Sequence, residues 1–299
     1  MSKNLVISNN ELLNYIKKMN VKDLSKFNNV YGSIILIGGG FYDSTSLLHA
    51  AEAASYLGLE KIYVAAAKPI VESYRSINID LIYIPLPDYK LTHGCVSKLS
   101  KLYKKGIIDA SNALIGFGLK SLNCEEYNLA HILYNKYNVQ IVFDFISNKC
   151  IDALHEIKKA IIVCLEDELN VLLKQFSISE EGIDNYVKRL VSEYDISIVI
   201  LSKFNISILA NKEQYIIATP SRSGFKFFEK PILTGLIGGF LSKMNNLKLA
   251  ILGAVHLYIY AVNKAFNEYG CSYTSNDIKC NIRTGLRKLL ELSNQLYKS

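Results

Sequence analysis

Along most of the chain, short apolar runs that end in glycine, proline or an acid alternate with stretches of helical period. Ser33-Ile-Ile-Leu-Ile37 runs into Gly38-Gly-Gly40, and beyond Phe41-Tyr-Asp-Ser44 the residues Leu47, Leu48, Ala51, Ala54 and Leu57 recur at helical spacing. Strand, glycine turn and helix in succession predict the start of a βαβ unit. Lys61-Ile-Tyr-Val-Ala65 reads as the second strand, and Leu81-Ile-Tyr-Ile84, closed by Pro85 and Pro87, as the third. A helix near residues 96–104 precedes the strand Ala113-Leu-Ile115 with its turn Gly116-Phe-Gly118. A further helix over 125–137 precedes Gln140-Ile-Val-Phe143, which ends at Asp144. Ala160-Ile-Ile-Val163 then leads to Glu166-Asp-Glu168 at a helix start, where carboxylates suit the positive end of the dipole.

The pattern changes in the last third. After an amphipathic helix over 179–194, Ser197-Ile-Val-Ile-Leu201, Ile206-Ser-Ile-Leu209 and Gln214-Tyr-Ile-Ile217 follow one another across short polar turns, as antiparallel strands do, with Asn211-Lys-Glu213 as the clearest hairpin signal. Three helical stretches close the chain, beginning at Pro231, Leu247 and Asn276. The order predicts one α/β domain, a three-layer α/β/α sandwich with a mostly parallel sheet over residues 31–299, preceded by an N-terminal helix and connection in residues 1–30.

Composition narrows the function classes. Half of the 299 residues are hydrophobic, which excludes a disordered chain, while no uninterrupted apolar run reaches the roughly 18 residues of a membrane span and Met1-Ser-Lys-Asn4 carries no apolar leader core. A cytoplasmic protein without membrane contact is expected. The six cysteines form no Cys-x-x-Cys pair and the five histidines never stand at metal-ligand spacing, so no structural metal is expected. The net charge of +7 comes from scattered lysines, not from a basic run with stacking aromatics, so nucleic acid is not an expected partner.

The candidate chemistry lies where the strands end. Ligands of such sheets gather beyond the carboxyl ends, which here carry Gly38, Gly39, Gly40, Gly116, Gly118, Asp144, Glu166 to Glu168 and Ser202. Lys226-Phe-Phe-Glu-Lys-Pro231 reads as a turn into a helix with Pro231 at its first position, and Thr234, Gly235, Gly238 and Gly239 give that helix a small-residue face. A helix start of this kind attracts anions; the same glycines also serve close packing.

In motif order the chain resembles the ADP- or ATP-dependent NAD(P)H-hydrate dehydratases, carbohydrate-kinase-like relatives of ribokinase. The resemblance runs through Tyr31-Gly32, Ile35-Leu-Ile-Gly-Gly39, Ala50-Ala-Glu-Ala-Ala54, Gly58, Asp109-Ala110, Ile115-Gly-Phe-Gly-Leu119, Ile141-Val-Phe-Asp144, Leu233-Thr-Gly-Leu-Ile-Gly-Gly-Phe-Leu241 and Cys271-Ser-Tyr-Thr-Ser-Asn-Asp277. It implies a ribokinase-like fold, ADP or ATP with Mg2+ as cofactors, and hydrated NAD(P)H as substrate. The implied nucleotide contacts are Gly116, Gly118, Lys230, Thr234 and Gly235, and the implied substrate contacts are Gly38, Gly39, Gly40 and Asp144. A homo-oligomer or a partner protein is compatible with it.

The departures from the family fall at the chemistry. Its Gly-Thr-Gly-Asp turn, which forms an anion hole and supplies the base, is here Phe228-Glu-Lys-Pro231, and a proline neither takes a proton nor donates a backbone N–H. The family's tyrosine and glycine after the first glycine turn are Asp43 and Thr45, its second strand-end acid is Ile146, its histidine is Leu165 and its late lysine is Ser202. Glu229 is the one carboxylate in the turn and thus the sole catalytic candidate there. Three readings follow: a degenerate, catalytically weak or inactive relative that keeps a nucleotide pocket; an active nucleotide-repair hydro-lyase; and a small-molecule kinase.

Overall fold

The computed structural model describes residues 4–8, 11–14, 16, 27–77, 80–118, 124–144, 151–175, 183–210, 213–219 and 226–297. Ten strands among them form one sheet: β1 (Asn4–Ile7), β2 (Ser33–Gly38), β3 (Lys61–Ala67), β4 (Ile82–Leu86), β5 (Asn112–Phe117), β6 (Gln140–Phe143), β7 (Ile161–Leu165), β8 (Ser197–Ser202), β9 (Asn205–Ala210) and β10 (Glu213–Ala218). Their spatial order is β1-β10-β9-β8-β7-β6-β5-β2-β3-β4. Neighbours from β8 through β4 run parallel, β9 runs antiparallel to both β8 and β10, and β1 lies parallel to β10.

Nine described helices cover the sheet: α1 (Thr45–Ser55), α2 (Lys68–Arg75), α3 (His93–Lys104), α4 (Cys124–Tyr137), α5 (Glu166–Gln175), α6 (Ile183–Tyr194), α7 (Glu229–Lys243), α8 (Leu247–Tyr269) and α9 (Ser275–Tyr297). Strand alternation assigns them to layers. In β2, Ile34 and Leu36 face a core shared with α1, α2, α7, α8 and α9, whereas Ile35 and Ile37 face a second core with α3, α4, α5 and α6. The three-layer α/β/α expectation holds. Helix α8 has the length and hydropathy of a membrane span, yet most of that stretch is buried inside the protein.

Several local expectations change. The N-terminal segment, read as helix and connection, supplies edge strand β1; residues 11–14 are helical, and Leu12 and Ile16 are buried in the first core. Helix α2 fills a stretch with no predicted element. Strand β4 continues through Pro85, which the pattern read as its end; β4 is the outer strand, where a missing N–H breaks no second ladder. The predicted Gly116 turn is a bulge inside β5. With φ of 120° at Gly116, Gly38 pairs with Phe117, and Phe117 turns to the same core as Leu114. The hairpin residues Asn211 and Lys212, and Ile146, lie outside the described residues.

Candidate functional site

The carboxyl ends of β2, β5, β6 and β7 share one edge of the sheet, and the first turn of α7 meets them there. Gly39 N–H donates to Phe117 O at 2.8 Å, and Asp144 N–H to Ile115 O at 2.9 Å, so the glycine turn, the β5 end and Asp144 form one continuous rim. Gly118, at φ of 66°, admits no side chain, because a Cβ there would lie 1.8 Å from Asp43 O. A narrow recess of about 10 Å³ opens beside Gly38, lined among others by Leu86, Asp88, Tyr89, Lys90 and Glu126. A larger one of about 350 Å³ lies at the opposite, amino-terminal ends of β6 and β8 and plays no part in this rim.

Helix α7 begins at Glu229, so Pro231 is its third residue and not its first. Proline is still tolerated there, since the first-turn N–H groups have no intrahelical acceptor. Lys230, on the first turn, points down into the sheet edge. Its ammonium donates to Asp144 O at 2.5 Å and to Glu168 Oε1 at 2.8 Å and Oε2 at 3.1 Å, and lies 3.5 Å from Asp144 Oδ2. Thr234, one turn on, donates to Asp144 Oδ1 at 2.5 Å. Asp144 and Thr234 are buried and Lys230 is 9% exposed. Burial pushes the Asp144 carboxyl up to about 6, against the pull of Lys230 and Thr234. Burial works against the Lys230 ammonium too, but Asp144 and Glu168 outweigh it and hold the lysine above its ordinary value, hence charged.

Glu229 faces the other way. Fully buried, its carboxylate accepts from the Tyr258 hydroxyl at 2.5 Å, the Tyr273 hydroxyl at 2.6 Å and the Lys226 N–H at 2.9 Å. The last bond spans three residues, as in a capping box, and satisfies a donor at the helix entry. The Lys226 ammonium ties the same entry to Cys271 O, at 2.8 Å, and to Tyr273 O. The only carboxylate of the turn thus serves the helix entry, which corrects its reading as a catalytic candidate: both of its oxygens accept from groups of the helix entry and of the first core.

Gly235 is likewise spent on packing. Buried between α7 and α1, it brings the helices so close that a Cβ would lie 2.1 Å from Ala50 O, while Gly238 accommodates Leu114 and Gly239 Leu57. A nucleotide contact at Gly235 is therefore blocked by α1. Asp43 caps α1, accepting from Ser46 N at 3.1 Å and Ser46 Oγ at 2.5 Å, and Thr45 is exposed. Ser202 pairs with Asn205 in the β8–β9 hairpin, and Leu165 ends β7. Asp277 sits three residues after Thr274 and accepts its N–H at 2.6 Å, so it is the far half of a capping box and not the cap itself.

Sequence reasoning missed two contributors. Tyr258 and Tyr273 enclose Glu229, and the pair Glu52–Lys279, at 2.5 Å, joins α1 to α9 beside His49. His49 stands 5.9 Å from Phe228 and 6.2 Å from Phe227, ring to ring, and its Nδ1 is buried without a hydrogen-bond partner. Burial, then the Lys279 charge, holds it below the ordinary histidine value, against the opposing pull of Glu52 and Asp43. Between that lowered value and about 6.5 the unfolded chain binds the proton that the folded one refuses, so this residue destabilises the fold as pH falls through the window. Urea midpoints measured from pH 7.5 to 5.0 should fall less steeply in His49→Gln than in the wild type.

Sequence and structural comparisons point to the same set of similar proteins. No protein-family model matches the chain. It is 24% identical over 267 residues to the ADP-dependent (S)-NAD(P)H-hydrate dehydratase of Nitrosopumilus maritimus, across 86% of this chain and 88% of the relative. An 88-residue stretch is 31% identical to the ADP-dependent (S)-NAD(P)H-hydrate dehydratase of Cenarchaeum symbiosum, 29% of this chain and 30% of that one. The fold superposes on the ADP/ATP-dependent NAD(P)H-hydrate dehydratase of Bacillus subtilis, co-crystallised with ATP and Mg2+ and soaked with CoA, with a TM-score of 0.69 at 15% identity over 93% of this chain and 97% of that one. The chain has a ribokinase-like fold and is similar over most of its length to NAD(P)H-hydrate dehydratases.

Within this ribokinase-like fold, the scaffold motifs serve packing and the helix-entry turn is closed by its own side chains. A hard divalent cation needs several oxygen donors free to converge on it. Here Asp144 and Glu168 already surround an ammonium, and among the described residues no group of three His, Cys, Asp or Glu side chains converges. With the Lys230 ammonium among them, these donors do not fit a metal at this position.

Proposed function

We propose that this dehydratase-like protein is a catalytically weak or inactive relative that keeps a nucleotide-binding crevice along the Gly38–Gly40, Gly118 and α7 rim. The observation that carries the reading is the inward turn of both ionisable side chains at the α7 entry: Glu229 is engaged by Tyr258, Tyr273 and Lys226, and Lys230 by Asp144 and Glu168. Neither is left to take a proton from a hydrated nicotinamide ring, and Pro231 has no group with which to do so. Loss of a general base costs about 10²–10⁴-fold in rate.

Turnover of hydrated NADH with ADP and with ATP should accordingly fall at least about 10²-fold below that of a catalytically competent relative. Pro231→Asp should not restore it, because Glu229 and Lys230 would still close the turn. Wild-type turnover at the level of a competent relative would establish an active hydro-lyase instead. Nucleotide retention is read separately by thermal shift, where ADP at about 100 times its dissociation constant should stabilise the fold by roughly 2.7 kcal/mol.

A further inference from the structure

We propose that the Lys230 ammonium is a built-in cation that makes this crevice independent of divalent metal, so that a nucleotide diphosphate or triphosphate binds here equally well with and without Mg2+. The nucleotide half of this proposal rests on the reading above; the metal half stands on geometry alone. Four oxygens converge on Nζ: Asp144 O at 2.5 Å, Glu168 Oε1 at 2.8 Å, Glu168 Oε2 at 3.1 Å and Asp144 Oδ2 at 3.5 Å, while the Thr234 hydroxyl donates to the remaining Asp144 oxygen. Such a set of hard oxygens is what Mg2+, Mn2+ or Ca2+ selects. The lysine, tethered on the first turn of α7, meets the same donors without dehydrating an ion and at an effective concentration that no dissolved cation matches.

The charge balance agrees. Two carboxylates and one ammonium leave one net negative charge in a region where Asp144 is 3% and Lys230 9% exposed. A divalent ion added beside the lysine would face a like charge within hydrogen-bond reach of both carboxylates, a repulsion that low dielectric makes severe. Replacing the ammonium with an apolar side chain of similar length reverses the situation. Lys230→Met leaves two buried carboxylates with no counter-ion, and only a cation from solution can neutralise them.

Two measurements test this. In the wild type, Mn2+ titrated alone and followed by electron paramagnetic resonance should show no bound fraction at millimolar concentration, and the affinity for ADP should be the same in EDTA and in Mg2+ within about twofold. Lys230→Met should melt lower than the wild type in EDTA and gain at least about 5 °C on addition of Mn2+ at ~100 times its dissociation constant, a gain that Lys230→Met with Glu168→Gln loses. Wild-type binding of Mn2+ that disappears in Glu168→Gln would overturn the proposal, as would a Lys230→Met protein that folds and gains nothing from metal. If Lys230→Met does not fold, the wild-type Mn2+ titration decides alone. Absence of ADP binding in both EDTA and Mg2+ would overturn the nucleotide reading while leaving the Mn2+ result to judge the built-in cation.

Discussion

Gly235→Ala should cost about 3 kcal/mol or more, at or beyond the upper end of ordinary overpacking, although alanine improves helix propensity by up to about 1 kcal/mol. The added Cβ would stand 2.1 Å from Ala50 O, 2.8 Å from Ala50 C and 2.9 Å from its Cα. These are backbone atoms of α1, so no rotamer change relieves the clash and the two helices must separate. That separation would disturb the first core, where Leu47, Ala50 and Ala54 of α1 meet Leu233, Leu236 and Ile237 of α7. Gly239→Ala is the internal control. Its Cβ would lie 2.4 Å from Leu57 Cδ1, the far end of a side chain, while the next atom is 3.5 Å away, so a rotation of Leu57 accommodates it for about 1 kcal/mol. Urea unfolding of both variants separates the cases. A smaller loss in Gly235→Ala than in Gly239→Ala would show that α1 and α7 do not touch as described.

The small-residue face of α7 was legible in the sequence, and so was the choice between its two meanings, packing or ligand, but not the outcome. What decides is the identity of the atoms opposite, and Ala50 is far away in the chain. The strands of the parallel body were equally legible, because β2, β3, β6 and β8 are continuous apolar runs buried on both faces, bounded by turn signals. Strand β1 was not. Asn4-Leu-Val-Ile7 is four residues long, and its ladder is with Gln214 to Ile217, so nothing local marks it. Pro85 misled for the opposite reason: a local rule about ladder donors applied to a strand whose outer side has no ladder.

At the candidate site the loss of the family's turn was readable from Phe228 to Pro231, whereas the new use of those residues was not. Lys230 finds Glu168 and Asp144 at separations of 62 and 86 residues, and Glu229 finds Tyr258 and Tyr273 at 29 and 44. Proximity in sequence made Glu229 look like a substitute base beside an anion site. Tertiary partners on α8 and just before α9 turned it into a buried acceptor instead.

The consequence for Glu229 is a stability phenotype where a catalytic residue would give an activity phenotype. Glu229→Ala removes the acceptor of two buried hydroxyls and one backbone N–H, leaving Tyr258, which is 0% exposed, and Tyr273, 3% exposed, to seek other partners inside the first core. A buried donor left unsatisfied costs about 1–3 kcal/mol, so the variant should lose roughly 3–5 kcal/mol, allowing for partial relaxation. For a chain of this size that corresponds to a fall of about 10 °C in the thermal midpoint. Tyr273→Phe and Tyr258→Phe should each cost less than Glu229→Ala, since each removes one donor and leaves the carboxylate two partners. Double-mutant cycles between Glu229→Ala and either tyrosine variant should show coupling of about 1 kcal/mol or more, because the residues form one network. Below its lowered midpoint, the folded Glu229→Ala protein should give the wild-type affinity for ADP. An unchanged midpoint together with lost ligand response would reverse the assignment and return Glu229 to the crevice as a working carboxylate.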